Sequence, residues 1–232
     1  MTELRPTERR PWDRGKRVAD VVTAVVLLIL SAPLMLVVAI VIRLSGGGPA
    51  LYRQTRPGLH GAPFQIVKFR SMSPDPELER AGTEGDHLRI TPIGRVLRAT
   101  SLDELPNLVN VLRGEMSIIG PRPLLVSYLD RYSERQARRH EVLPGMTGLA
   151  QVRGRNALDW ASKLEYDVEY VERRSFALDV QIVFATVKVV LMRHGIAQPG
   201  HATMPPFEGT GAPPEDAGRR EDIDSPSVVG AS

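Results

Sequence analysis

The residues of this chain with the clearest capacity for chemistry are two adjacent carboxylates. Asp103 and Glu104 lie in Arg98-Ala-Thr-Ser-Leu-Asp-Glu-Leu-Pro-Asn, and Arg113-Gly-Glu-Met-Ser-Ile-Ile-Gly-Pro-Arg122-Pro follows closely. A guanidinium binds phosphate oxygens bidentately, and a carboxylate holds a divalent metal or attacks as a nucleophile. Asp103 and Glu104 between Arg98 and Arg122 therefore suit reactions of phosphates. The same spacing also fits plain structural devices. Ser101-Leu-Asp-Glu104 reads as a capping box with Ser101 at the N-cap and Glu104 at N3. Pro121-Arg122-Pro123 fits a stiff turn exposing a solvated arginine, and Lys68 and Arg70 fit the solvated face of a strand. Spacing alone does not choose between these readings.

What positions these residues begins with the chain as a whole. Its 232 residues are 42% hydrophobic and 25% charged, in the range of a folded domain with appendages. The 20 Gly and 19 Pro follow no period, which excludes collagen, and no unit recurs as in a repeat solenoid. The absence of cysteine excludes a disulfide framework, a zinc ribbon and a thiol nucleophile together. Net charge is only +3, so its distribution matters more than its sum.

Val21 to Ile42 is a run of roughly 22 uncharged residues, long enough at ~1.5 Å per residue to cross a hydrocarbon core. It continues well past Ser31-Ala32, and Pro33 would follow the only small-residue cleavage site, which argues against a secretory signal. Pro33 removes a backbone hydrogen bond in mid-run, so a kink or break is expected there. Arg5, Arg9, Arg10, Arg14, Lys16 and Arg17 precede the run; Arg43, Arg53, Arg56, Lys68 and Arg70 follow it before any acid. Basic residues mark the cytoplasmic side, so a helix that enters and leaves by that face satisfies both flanks. A kinked transmembrane helix stays open as the alternative, because proline is tolerated in such helices.

Beyond the hinge Ser45-Gly-Gly-Gly-Pro49, Leu51 to Gln54 and Phe64 to Met72 read as a small β-hairpin around Arg56-Pro57-Gly58. An acidic surface loop is expected at 74–86, and Pro92-Ile93-Gly94 opens a helix carrying Arg95 and Arg98. Further helices are expected over Ser101 to Leu112, Leu124 to Glu141, Leu158 to Arg173 and Ser175 to Arg193, with Gly148 to Val152 extended. The last helix has an apolar face suited either to a bilayer surface or to a core. The Pro-rich stretch at 197–232 reads as a disordered tail. The organisation expected is a basic segment at 1–17, a membrane helix at 18–44 and a catalytic domain at 45–196, mainly α with a small β-hairpin (α+β).

The membrane run, Lys68-Phe-Arg-Ser-Met72, the SLDELPNLVNVLRGEMSIIGPRPLL stretch and the LPGMTGLAQVRGRN stretch occur in an order that resembles the monotopic phosphoglycosyl transferases, over roughly Lys16 to Ile196. These bacterial sugar transferases begin lipid-linked glycan assembly. The resemblance implies transfer of a sugar phosphate from a UDP-sugar to polyprenyl (undecaprenyl) phosphate with release of UMP. It implies Asp103 as the nucleophile of a covalent phosphosugar intermediate, with Glu104 as partner carboxylate. Mg2+ at Asp103 and Glu104 is the implied cofactor. Arg98, Arg122 and Lys68 become candidate phosphate contacts, and Arg155 and Asp167 weaker candidates for the nucleotide-sugar pocket. A re-entrant helix at the cytoplasmic face of the inner membrane is also implied, with Ser31 and Pro33 at its break. The family often has Ser directly before that proline, whereas here Ala32 intervenes. Larger members carry extra membrane helices, so this chain looks like the minimal form with an added tail. Downstream glycosyltransferases are expected to take the product into exopolysaccharide, capsule, O-antigen or glycoprotein glycans. A non-catalytic adaptor on anionic lipid is the competing function. Nucleic-acid binding is not expected, because the arginines are spread among acids and Trp12 and Trp160 form no stacking platform.

Overall fold

The computed structural model describes residues 11–46, 48–73, 89–154, 158–192 and 206–209. Arg155, the 74–86 loop and most of the 197–232 tail lie outside the described residues.

The apolar run lies within one 36-residue helix, α1 (Pro11–Gly46). Helical structure carries on through Pro33. Proline forfeits only its own donor, the one that would have met the Ile29 carbonyl, and the turns on either side keep their bonds. Ser31 does not take up that freed carbonyl. Its hydroxyl donates to the Leu27 carbonyl at 2.6 Å, the back-bonding pattern that bends helices. Along the middle of α1, Val25, Val26, Ile29, Leu30, Leu36 and Val37 are exposed, an apolar surface far larger than soluble chains present to water.

Both ends of α1 are fastened to the same folded unit. Near its start Arg17 donates to the carbonyls of Val111 at 2.7 Å and Leu112 at 3.1 Å, and Asp20 accepts from the Ile118 amide at 3.0 Å. Ala24 then packs with Phe64, Ile66, Leu108, Val111 and Met116. Towards the other end Val38 and Ile42 pack with Ala50, Phe69 and Leu97.

Strands β1 (Leu51–Pro57) and β2 (Pro63–Phe69) form the expected antiparallel hairpin, with Leu51 opposite Phe69 and Pro57 opposite Pro63. Helix α2 (Pro92–Thr100) follows, capped by Thr91, whose hydroxyl accepts from the Gly94 amide. The expected helix over Ser101 to Leu112 is instead a 3-10 turn (Leu102–Glu104) and a short helix α3 (Asn107–Arg113). Leu124 to Glu141 is likewise no single helix. It is a 3-10 segment (Val126–Arg131), the one-turn α4 (Glu134–Ala137) started by a capping box at Ser133, and a second 3-10 turn (Arg138–Glu141). The extended piece expected at Gly148 to Val152 falls earlier. Strand β3 (Ser117–Ile119) pairs in parallel with β4 (Gly145–Thr147), and α5 (Leu149–Arg153) is helical. The charged helix α6 (Trp160–Arg173) and the final α7 (Phe176–Met192) close the domain.

Helix α7 turns Asp179 and Ile182 inward and leaves Phe176, Val183, Phe184, Val187 and Val190 exposed. Trp12 of α1 lies edge-on to Phe176 at 5.0 Å and donates to Asp179 at 2.9 Å, so the exposed apolar face of α7 begins beside the start of α1. Within the region expected to be a disordered tail, Phe207 is 2% exposed and packs among Tyr128, Tyr132 and Trp160, while Arg131 binds its carbonyl.

Candidate active site

The two carboxylates stand on a strained turn. Ser101 has φ 58° and ψ 17°, a left-handed conformation that carries a penalty of about 1 kcal/mol or more outside glycine. It does not cap the following turn as its sequence suggests. Its amide instead closes α2 by bonding the carbonyls of Arg98 and Leu97. One residue cannot end α2 and start a regular helix at once, so Asp103 and Glu104 project from a tight 3-10 turn just past Arg98.

Glu104 is clamped. Lys68 Nζ lies 2.8 Å from Oε1, and Arg122 grips both oxygens, its Nη1 3.3 Å from Oε2. Burial works to raise the Glu104 pKa, but the charges of Arg122 and Lys68 outweigh it and hold the carboxyl well below the usual carboxylate range. Asp103 next to it accepts no hydrogen bond among the described residues. Burial first, then the neighbouring Glu104, raises its pKa against the pull of Lys68, Arg122 and Arg98. Arg98 brings a further cation to this side, and its Nη1 is buried without a partner. Sequence therefore named five residues, Lys68, Arg98, Asp103, Glu104 and Arg122, that the fold brings together.

Each is held by backbone geometry. Asn110 on α3 accepts from the Val67 amide at 3.2 Å and donates to the Gln65 carbonyl at 2.7 Å, fixing β2 one residue before Lys68. Arg122 depends on the close approach of β3 to β4. A Cβ on Gly120 would sit 2.4 Å from the Leu143 carbonyl oxygen, and one on Gly145 would sit 2.1 Å from the Gly120 nitrogen. Only glycine fits there. Behind Arg122, the buried Arg139 donates to its carbonyl at 2.6 Å and pairs with Asp167 at 2.7 Å. Asp167 is 2% exposed and committed to that pair, so it braces the site instead of lining a nucleotide-sugar pocket. Arg155, its fellow candidate, lies outside the described residues. Sequence reasoning missed Asn110 and Arg139. Arg139 gave no signal at all, because in an arginine-rich run nothing marks the one that is buried.

The site offers one uncommitted carboxylate, one clamped carboxylate and several cations with spare donors, which is the equipment for displacement at an anionic phosphorus. No cluster of three metal-ligating side chains occurs among the described residues. This defines a phosphate-handling enzyme fastened to an apolar membrane helix.

Comparison with known proteins makes the class specific. The bacterial sugar transferase family pattern matches residues 12–193. An uncharacterized sugar transferase, EpsL, of Bacillus subtilis is 48% identical over 84% of this chain and 96% of its own length. The UDP-glucose:undecaprenyl-phosphate glucose-1-phosphate transferase of Caulobacter vibrioides is 46% identical over 80% of this chain and 73% of its own. The undecaprenyl-phosphate galactose phosphotransferase of Salmonella typhimurium is 42% identical over 78% of this chain and 41% of its own. The chain belongs to the bacterial sugar transferase family and is a sugar-phosphate transferase.

Proposed function

We propose that this chain transfers a sugar phosphate from a UDP-sugar to polyprenyl phosphate and releases UMP, with Asp103 carrying the phosphosugar covalently. The observation that supports this most directly is the division of labour between the two carboxylates. Glu104 is bound to Lys68 and Arg122, whereas Asp103 has oxygens free to attack. In the first step an Asp103 oxygen bonds to the sugar-bearing phosphorus, and the bond from that phosphorus to UMP breaks, UMP keeping the electron pair. In the second, an oxygen of polyprenyl phosphate attacks the same phosphorus and the aspartyl oxygen leaves as carboxylate. Each step handles anions, and Lys68, Arg98 and Arg122 neutralise the charge on the phosphate oxygens.

A divalent ion fits this donor set if the donor diphosphate supplies most of its oxygens. Asp103 has an oxygen to offer, while Glu104 has neither oxygen free of a cation. Mg2+ would supply charge neutralisation on the diphosphate.

Helix α1 enters the same account. Both of its ends bind the domain that carries the site, while its middle presents apolar residues outward. A span with the domain on one side would carry the far end away from that domain, so a re-entrant course in the cytoplasmic leaflet of the inner membrane is the proposed topology. The apolar face of α7 would rest on the same surface. A lipid-linked acceptor would then meet Asp103 at the membrane interface, and the product would pass to glycosyltransferases that extend it.

The test is UMP release by the protein purified in detergent with Mg2+, a panel of UDP-sugars and polyprenyl phosphate, with Asp103→Asn alongside. One sugar should release UMP, and phosphosugar should be trapped on the wild-type chain alone. Full activity of Asp103→Asn would refute the role of Asp103. Silence with every donor would instead favour the membrane adaptor.

A further inference from the structure

Phe207 belongs to no part of the scheme above, yet it is buried like a core residue. It stands in a Pro-rich stretch whose composition predicts no fixed place, and it is 2% exposed. Its ring is stacked on Tyr132, 5.6 Å between centroids with 26° between planes, and it meets Tyr128 at 5.6 Å and Trp160 at 5.4 Å. Its carbonyl accepts from Arg131, the neighbour of Tyr132. Gly209 has φ 108°, a backbone conformation that favours glycine, and it turns the chain alongside the Arg131 carbonyl oxygen. Ring, carbonyl and turn thus all address residues 131 and 132.

What lies behind Tyr132 gives this docking its meaning. A buried guanidinium has five N–H donors to place. Arg139 gives Nε and Nη2 to Asp167 at 3.1 and 2.7 Å, shares Nη2 with the Arg122 carbonyl at 2.6 Å, and directs Nη1 to the Tyr132 hydroxyl at 3.4 Å. Its charge also lies 5.7 Å from the centroid of the Tyr132 ring. The Arg122 backbone depends on this side chain because Pro121 and Pro123, on either side, have no N–H to give. Contacts therefore run unbroken from Phe207 through Tyr132 and Arg139 to Arg122, whose guanidinium grips Glu104. The Tyr132 ring is itself held from two directions, with His140 tilted against it at 5.7 Å and Phe207 stacked on it. Removing Phe207 takes away one of the two, so that ring and hydroxyl can swing off Arg139.

We propose that Phe207 is a positioning residue for the transfer: by packing on Tyr132 it holds Arg139 behind Arg122, and so keeps the Arg122 guanidinium where the reacting phosphate needs it. This rests on the transferase reading given above. Phe207 has no polar group to offer a phosphate, so its loss acts through geometry alone. A small misplacement of a cation that meets developing charge costs rate more than binding, because the transition state demands closer placement than the bound substrate does.

The experiment compares full-length wild type, Phe207→Ala, Tyr132→Phe and the double variant in detergent, below the melting temperature of the least stable. Tyr132→Phe keeps every ring and removes only the hydroxyl that meets Arg139, so it tests the relay even if Phe207→Ala fails to fold. In each single variant kcat for UMP release should fall by about tenfold per folded mole, while donor KM changes by less than about threefold. The double variant should lose no more than Phe207→Ala alone, because both changes cut one chain of contacts. Hydrogen exchange supplies a readout that needs no turnover. The Gly145 amide donates to the Pro121 carbonyl and the Gly120 amide to the Thr147 carbonyl, each at 2.9 Å, and both should exchange faster in the variants. Wild-type kcat in Tyr132→Phe, losses that multiply in the double variant, or exchange that quickens around residues 206–209 but not at Gly120 and Gly145 would each overturn the role given to Phe207. Wild type that turns over no UDP-sugar would refute the transferase reading instead, and exchange alone would then decide whether Phe207 holds Arg122.

Discussion

Two clusters of charge in this molecule use the same residue types to opposite ends. On the outer surface Arg135 meets Glu165 and Glu172, and Arg138 meets Glu172 and Glu141, so each arginine has two carboxylates, and Arg135 and Glu165 are half exposed. At the site the ratio is reversed. Glu104 alone serves Lys68 and Arg122, Asp103 accepts no hydrogen bond among the described residues, and Arg98 keeps a buried donor unpartnered. The surface cluster is complete without a ligand. The inner one has excess positive charge that a diphosphate would balance. Stoichiometry and burial, more than residue type, separate chemistry from solvation here.

The strongest way to sharpen that contrast is pH. Attack requires ionised Asp103, whose pKa is raised by burial and then by Glu104. Formation of the phosphosugar enzyme should therefore fall about tenfold per unit of acidification, starting above the ordinary aspartate range, while Glu104 stays ionised throughout. Glu104→Gln removes one of the two causes of that shift and leaves Lys68 and Arg122 to act on Asp103 alone. Its acid limb should move to lower pH. Its plateau rate should drop about a hundredfold, because both cations lose the group that positions them. An acid limb that stays in place in Glu104→Gln would show that Asp103 is not the titrating group.

Next in size is the brace behind the site. Breaking the buried Arg139–Asp167 pair with Asp167→Asn leaves an uncompensated guanidinium in the interior and should lower unfolding stability by about 3 kcal/mol in a denaturant titration. The folded fraction should keep most of its UMP affinity, since neither residue is placed to touch substrate. A variant of wild-type stability that loses UMP binding would return Asp167 to the nucleotide pocket.

Asp167 shows where sequence stopped being informative. A motif with several uncommon residues at fixed spacing, such as the stretch from Ser101 to Arg122, identified the site because those residues meet in space as well as in sequence. Asp167 and Arg139 lie on separate elements, and their partnership is set by how α6 packs, which no local pattern encodes. Element types were legible where apolar periodicity was long, as in α1, α6 and α7. They failed where tertiary contacts override propensity. Ser101 is a good N-cap residue used to end a helix, and the stretch from Val126 to Glu141 breaks into short turns because its buried groups, Tyr128, Arg139 and His140, each need a separate partner.

The tail offers a smaller test of the same point. Composition marked 197–232 as featureless, yet Phe207 lies within 5.6 Å of the ring centroids of Tyr128, Tyr132 and Trp160. Tyr132 in turn contacts Arg139, whose Nη1 lies 3.4 Å from its hydroxyl. Phe207→Ala should lower stability by about 2 kcal/mol, the value of burying one such ring, seen as a lower melting temperature in detergent. An unchanged melting temperature would mean that the segment does not hold this position in solution.

The smallest effect belongs to the outer cluster, and it completes the contrast. Arg135→Ala deletes two of the four surface contacts, yet water already solvates every group involved, and holding long side chains together costs entropy that offsets most of the attraction. Loss of stability should stay below about 1 kcal/mol and shrink further as salt is added, because exposed charges are screened within about 10 Å at 0.1 M. Donor KM should not change. An effect on KM would mean that α4 and α6 transmit strain to Arg122 through Arg139, and that the two clusters are less independent than their opposite charge ratios suggest.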